Sequence, residues 1–209
     1  MLESYIEIVT LSLYVSLSAT ILAFLASTSF SLILLLNKFT GRTYILILIN
    51  SLMGLPPVLV GLFLYLLFSS QGILGFLNML YTPSIMIIAQ FIIIAPIIIS
   101  LSYRSFEERY NQIREYLLSL EASRRKIMYT LIIETRYDLL IIAMTGLGRA
   151  LSEVGAVILV GGNIANMTRV MTTSIVLETS RGDLDLAIDL GITLVLIGII
   201  LNFFVFLIK

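Results

Sequence analysis

The sequence contains no cysteine and no histidine. Such a chain has no disulfide, no thiolate nucleophile, no Cys/His zinc site and no imidazole base, which excludes the commonest enzyme chemistries. Charge is scarce too: Asp, Glu, Lys and Arg make up 12% of the 209 residues, against about 25% in soluble domains. Thirteen bases meet thirteen acids, and a net charge of zero leaves no basic face to neutralise phosphates, so nucleic acid is set aside as a partner. No Gly-x4-Gly-Lys-[Ser/Thr] run occurs, so the chain has no P-loop with which to cradle nucleotide phosphates. There is no internal repeat either, and an intramembrane hydrolase would need a Ser or Asp pair at a common depth, of which none stands out.

What is present is apolar. Hydrophobic residues make 59% of the chain and mean hydropathy is +1.06, which is too little polar surface to be covered by water. The chain reads as an all-α integral membrane protein. Its charges cluster, and the gaps between clusters mark the spans: 30 uncharged residues separate Glu7 from Lys38, and 61 separate Arg42 from Arg104. A bilayer core of roughly 30 Å takes about 20 apolar helical residues. The first gap therefore holds one span and the second two, divided by the Gly- and Pro-punctuated stretch from Gln71 to Pro83. Five transmembrane helices are predicted, at about 8–36, 44–68, 84–103, 139–160 and 186–208, in a single domain over 1–209. The acidic N-terminus, with Glu3 and Glu7, does not read as a secretory signal.

Between spans three and four, residues 104–138 carry 13 charges. Within them Ile113, Tyr116, Leu117 and Leu120 form one stripe on a short amphipathic helix, and Ser123 is placed to cap a second helix presenting Ile127, Met128, Leu131 and Ile132. A stripe so small must lie on the membrane, cover the protein's own helix ends or dock into a partner. Ten bases, including Lys38, Arg42 and Lys209, fall on the side of this segment, and only Arg169 and Arg181 on the other. The positive-inside rule then puts the N-terminus outside and the C-terminus and residues 104–138 in the cytoplasm.

Two sets of residues resemble a known family. The run Glu115-Tyr116-Leu117, with Leu120, Glu121, Ala122 and Ser123, resembles the cytoplasmic EAA loop of ABC-transporter permeases. Tyr116 and Leu117 stand where that pattern has alanines, Glu121 where it has glycine, and Ile133-Glu134 where it has Leu-Pro. Gly148 to Ala156 followed by Gly161-Gly162-Asn163-Ile164 resembles the signature of sulfate, molybdate and tungstate permeases. Gly54-Leu55-Pro56-Pro57-Val58, Tyr81-Thr82-Pro83 and Ala89-Gln90 agree with it, and Thr168 to Thr173 with Leu177 to Asp183 is nearest the tungstate type. The resemblance implies a type I ABC-importer permease fold and an oxyanion importer subunit in the cell membrane. It further implies a homodimer, separate ATPase subunits that carry ATP and magnesium, an extracytoplasmic binding protein, and coupling to the ATPase through Glu115–Ser123. No cofactor or metal is expected on this chain.

The residues themselves leave alternatives open. Arg149 lies ten residues into span four, about 15 Å deep at 1.5 Å per residue, and Glu153, four residues on, is expected on the same helix face as its counter-charge. The pair either stiffens the bundle or lines the transport path. Gly146, Gly148, Gly155, Gly161 and Gly162 serve close helix packing, or Gly161-Gly162-Asn163 forms a moving gate. Pro56-Pro57 must break the hydrogen-bond ladder of span two, which faces protein or water there. Arg169 and Arg181, in an outer loop over 163–181, are either solvated surface charges or contacts for a passing anion. A scaffold or sensor whose cytoplasmic helix binds a partner is the competing function. The predicted outer face carries two bases against six acids, so it repels anions over a Debye length of about 8 Å, and import should require delivery by the binding protein.

Overall fold

The structure, a computed structural model, describes residues 2–37 and 39–208. Lys38 and Lys209, both counted toward the basic face, lie outside the described residues. Among the described residues all regular structure is helical: α1 (Leu2–Leu36), α2 (Arg42–Leu52), α3 (Pro57–Phe68), α4 (Pro83–Ser119), α5 (Arg124–Glu134), α6 (Arg136–Leu151), α7 (Gly155–Gly161), α8 (Met171–Arg181) and α9 (Leu184–Ile208), with a 3-10 turn at Gly75–Leu77 between α3 and α4. Three single helices are long and apolar enough to cross a bilayer: α1, α4 and α9. The number rises to five if the bent pairs α2–α3 and α6–α7 each count as one span.

The two bends have different causes. Pro57 occupies the first turn of α3, where its missing N–H goes unnoticed. Proline also disfavours helical geometry in the residue before it, and Pro56 is accordingly extended (φ −62°, ψ 122°). The helix cannot run through, and α2 meets α3 at 99°. The α6–α7 bend of 58° involves no proline. There Glu153 leaves the helix, and its side chain accepts the Ala156 N–H at 3.1 Å, starting a new helix.

The central seam runs between α1 and α4. Ser12, Ser16, Thr20, Ser27 and Ser31 form a buried stripe along α1. Ser27 Oγ donates to the Ala95 carbonyl at 3.3 Å and Ser31 Oγ to that of Ile99 at 3.0 Å. These bonds flank Pro96, which lies inside α4. The main apolar core adds Val60 and Leu64 of α3, Ile142 of α6 and Val157 and Val160 of α7. A second cluster, Ile8, Leu147, Leu151, Met171 and Leu190, fastens α8 and α9. The outer side of α9, with Ile192, Val195, Ile199 and Phe203 exposed, has the apolar character of a lipid-facing surface.

Three expectations are corrected. The amphipathic stripe at 113–120 is not on a separate helix: α4 continues through Tyr103 to Ser119, since no breaker interrupts it and extending a helix costs less than nucleating one. Residues 163–181 are not simply a loop, because 171–181 form α8, with Thr172, Thr173, Ser174 and Glu178 buried. Glu153 does not share a helix with Arg149, since α6 stops at Leu151.

Candidate functional site

The chemistry concentrates at three levels along the bundle. At the end bearing α5, the long α4 terminates in a Schellman turn: the Ala122 N–H donates to the Leu117 carbonyl at 3.1 Å, and Glu121 takes left-handed geometry at φ 49°. The residue in the glycine position of the EAA pattern thus adopts the conformation that favours glycine. Ser123 stands at the N-cap of α5 with extended backbone, but its hydroxyl makes no capping bond. Of the stripe residues, Leu117 is 5% exposed and serves the chain's own packing, whereas Tyr116 and Leu120 are 66% and 58% exposed. Glu115 and Glu121 are exposed and Ala122 is half-buried. Glu134, in place of the pattern's proline, binds back to α4: its Oε2 accepts from Arg109 Nε at 3.0 Å and from Nη2 of the same guanidinium. Arg109 Nη1 also donates to Gln112 at 2.9 Å. Thr135 alone joins α5 to α6, its hydroxyl bonded to the Leu131 carbonyl at 2.8 Å. Arg42 reaches Glu107 at 3.4 Å, and Tyr103 donates to the same carboxylate oxygen at 2.7 Å, which ties α2 to α4.

The middle level is the α6–α7 break. Arg149 Nη1 lies 3.0 Å from Glu153 Oε2, with side chains 36% and 3% exposed. Glu153 Oε1 holds the Ala156 N–H, and the Glu153 carbonyl accepts the Thr172 hydroxyl at 2.8 Å. Gln90 of α4 donates to the Ala150 carbonyl at 3.0 Å. The backbone groups freed by the bend are thus taken up by α4, α8 and the Glu153 side chain, as a dry interior requires. Gln90 Oε1 is buried and has no partner among the described residues. The two bends also meet, since α3 packs on α7. A Cβ added to Gly61 would lie 2.7 Å from Ala156 Cα, and one on Gly155 would lie 2.7 Å from Val58 Cγ2. Pro56-Pro57 and Arg149–Glu153 are therefore brought into one region. Gly148 is different, with nothing within 4 Å of an added Cβ. It faces a groove of about 430 Å³ lined by Thr145, Ser152, Gly198 and Asn202.

At the third level α7 ends at Gly161, and Gly162 and Asn163 turn left-handed (φ 71° and 51°). The turn is clasped. The Tyr81 ring sits on Gly162, 2.7 Å from where a Cβ would be, and the Tyr81 N–H donates to the Val160 carbonyl at 2.9 Å. Asn163 Oδ1 accepts the Thr173 hydroxyl at 2.8 Å. Arg181 pairs with Glu178 at 3.5 Å. Arg169, by contrast, lines a cavity of about 420 Å³ with Glu7, Tyr14 and Glu178, and its buried Nε has no partner among the described residues.

Gln90 and Thr172 join the site without having been selected as functional from sequence. A lone amide in the apolar run 85–99 was a signal for the first. Thr172 stood only within the run Thr168 to Thr173 that resembles the tungstate type, with no role of its own, because that stretch reads as a loop until α8 is seen.

No protein-family model matches the chain. Curated relatives do. It is 38% identical over 195 residues, 93% of its length and 86% of the relative's, to the tungstate uptake system permease protein TupB of Peptoclostridium acidaminophilum. It is 38% identical to the protein of the same name from Campylobacter jejuni, over 79% of this chain and 70% of that one. Identity to a probable anion ABC transporter permease protein of Haloferax volcanii is 33%, covering 89% and 82% respectively. With its apolar helices, this multi-pass membrane chain belongs to the family of oxyanion ABC-transporter permeases that includes the tungstate uptake permeases.

Proposed function

We propose that the chain is the membrane subunit of an ATP-driven importer that carries tungstate, or in the alternative molybdate or sulfate, across the cell membrane by alternating access. Each bent pair counts as one span, giving five spans in one domain. The N-terminus lies outside, and the C-terminus and residues 104–138 lie in the cytoplasm. Two copies stand side by side over separate ATPase subunits, which carry ATP and magnesium, and beneath an extracytoplasmic binding protein. The chain itself binds no cofactor.

The observation that carries this reading is the charged break at Arg149–Glu153, whose backbone groups are taken up by α4, α8 and the Glu153 side chain. It lies within a chain matching tungstate uptake permeases over most of its length. A guanidinium at bilayer depth costs about 2.5–3.5 kcal/mol unless it is compensated, so its retention at a helix break favours a polar path over a lipid face. Pro56-Pro57 lies beside this path at the level of the break, and Gly161-Gly162-Asn163 forms its outer turn. Coupling runs through the surface offered by Glu115, Tyr116, Leu120 and Glu121, with Leu117, Ala122 and Ser123 shaping the turn beneath it. Arg169 and Arg181 serve the outer mouth.

The test is uptake of labelled tungstate, molybdate and sulfate by the assembled complex in vesicles. ATP-dependent accumulation is expected only with the binding protein present. Absence of uptake of all three anions favours the scaffold or sensor reading instead. Tyr116→Asp with Leu120→Asp should abolish co-purification of the ATPase, and unchanged assembly and uptake would remove the docking role.

A further inference from the structure

We infer that Arg149 is the intramembrane contact for the transported dianion and that Glu153 keeps this contact weak, an inference that rests on the permease reading above. The two oxygens of Glu153 divide their tasks: Oε1 holds the Ala156 N–H that begins α7, and Oε2 holds Arg149. The break is further secured through backbone carbonyls, Ala150 by Gln90 and Glu153 by Thr172. The ion pair can therefore open without unravelling the bend.

Arg149 is built for such an exchange. Only its Nη1 is engaged among the described residues, and its side chain is 36% exposed, while that of Glu153 is 3% exposed. The free Nε and Nη2 edge presents two parallel donors, the arrangement that suits a tetrahedral oxyanion. An anion seated there lies close to the Glu153 carboxylate, which repels it and competes for the guanidinium. A conducting site must bind firmly enough to admit its ion and loosely enough to release it. Glu153 supplies the second condition and is a positioning residue, not a ligand.

The test uses the complete transporter in proteoliposomes with labelled tungstate and two readouts: maximal ATP-driven uptake, and tungstate retained by the permease–ATPase complex without the binding protein. Glu153→Gln keeps an oxygen for the Ala156 N–H but removes the competing charge. Retained tungstate should rise about tenfold while maximal uptake falls, a split that loss of structure alone does not produce. The double variant Arg149→Gln with Glu153→Gln removes both charges together. It should lose retained tungstate and about tenfold of uptake while keeping the melting temperature. If wild type carries tungstate and Glu153→Gln fails to raise retention, or the double variant transports normally, this assignment falls and the permease reading stands. If wild type carries none of tungstate, molybdate and sulfate, the permease reading itself falls.

Discussion

Replacing Glu121 by glycine should make the chain more stable, although glycine usually weakens helical proteins. Glu121 sits at φ 49° just beyond the last turn of α4, where the Ala122 N–H returns to the Leu117 carbonyl at 3.1 Å and the Leu120 N–H to that of Tyr116 at 3.2 Å. Left-handed geometry costs an L-residue about 1–2 kcal/mol through the clash of Cβ with the backbone. Glycine escapes that cost but loses about 0.5–1 kcal/mol more chain entropy on folding. At the middle of both ranges the difference favours Glu121→Gly by about 0.75 kcal/mol. For a chain of this length that corresponds to a rise of about 1–4 °C in melting temperature, read in detergent at one scan rate because unfolding of such proteins is commonly irreversible. Glu121→Ala is the control, since alanine has the same Cβ and should not move the midpoint. An equal rise in both variants would show that removing the carboxylate, and not relieving the backbone, was responsible. A fall in Glu121→Gly would refute the left-handed turn.

Three further outcomes are expected. Gly61→Ala places a Cβ 2.7 Å from Ala156 Cα, a backbone atom that cannot swing away, and should cost about 1–3 kcal/mol. Gly148→Ala meets nothing within 4 Å and should gain up to about 1 kcal/mol from helix propensity; equal thermal shifts in the two variants would deny the close α3–α7 crossing. Arg109→Glu and Glu134→Arg should each slow ATP-driven uptake, and the double exchange should restore it. A double-mutant cycle should give a coupling of about 0.2–1 kcal/mol for this half-exposed pair, and zero coupling would separate α5 from α4. Thr172→Val keeps the shape but removes the hydroxyl bonded to the Glu153 carbonyl, and should lower stability by about 1 kcal/mol. An unchanged melting temperature would count against α8 as a support of the break.

The membrane class, the apolar stretches and the turn between α3 and α4 were legible because they depend on one-dimensional quantities: composition, the length of uncharged runs, and Gly and Pro punctuation. The Arg149–Glu153 pair was legible too, since a buried charge at i calls for its opposite nearby. Other features required the neighbours in space. The stripe at 113–120 has helical period in either case, but only the fold turns Leu117 inward and leaves Tyr116 and Leu120 outside. The 99° bend follows locally from Pro56-Pro57, whereas the 58° bend needs Gln90 and Thr172, one on either side in sequence, to receive the freed backbone groups. The polar run at 171–181 forms a helix with one buried face, joined to α1 where Ser12 accepts the Met171 N–H at 2.7 Å, a bond across 159 residues. Local sequence thus decided where the chain is apolar and where it can turn. The tertiary structure decided which polar groups are buried, because a hydrogen-bond partner for a dry backbone group is a property of the assembled bundle and not of its neighbours along the chain.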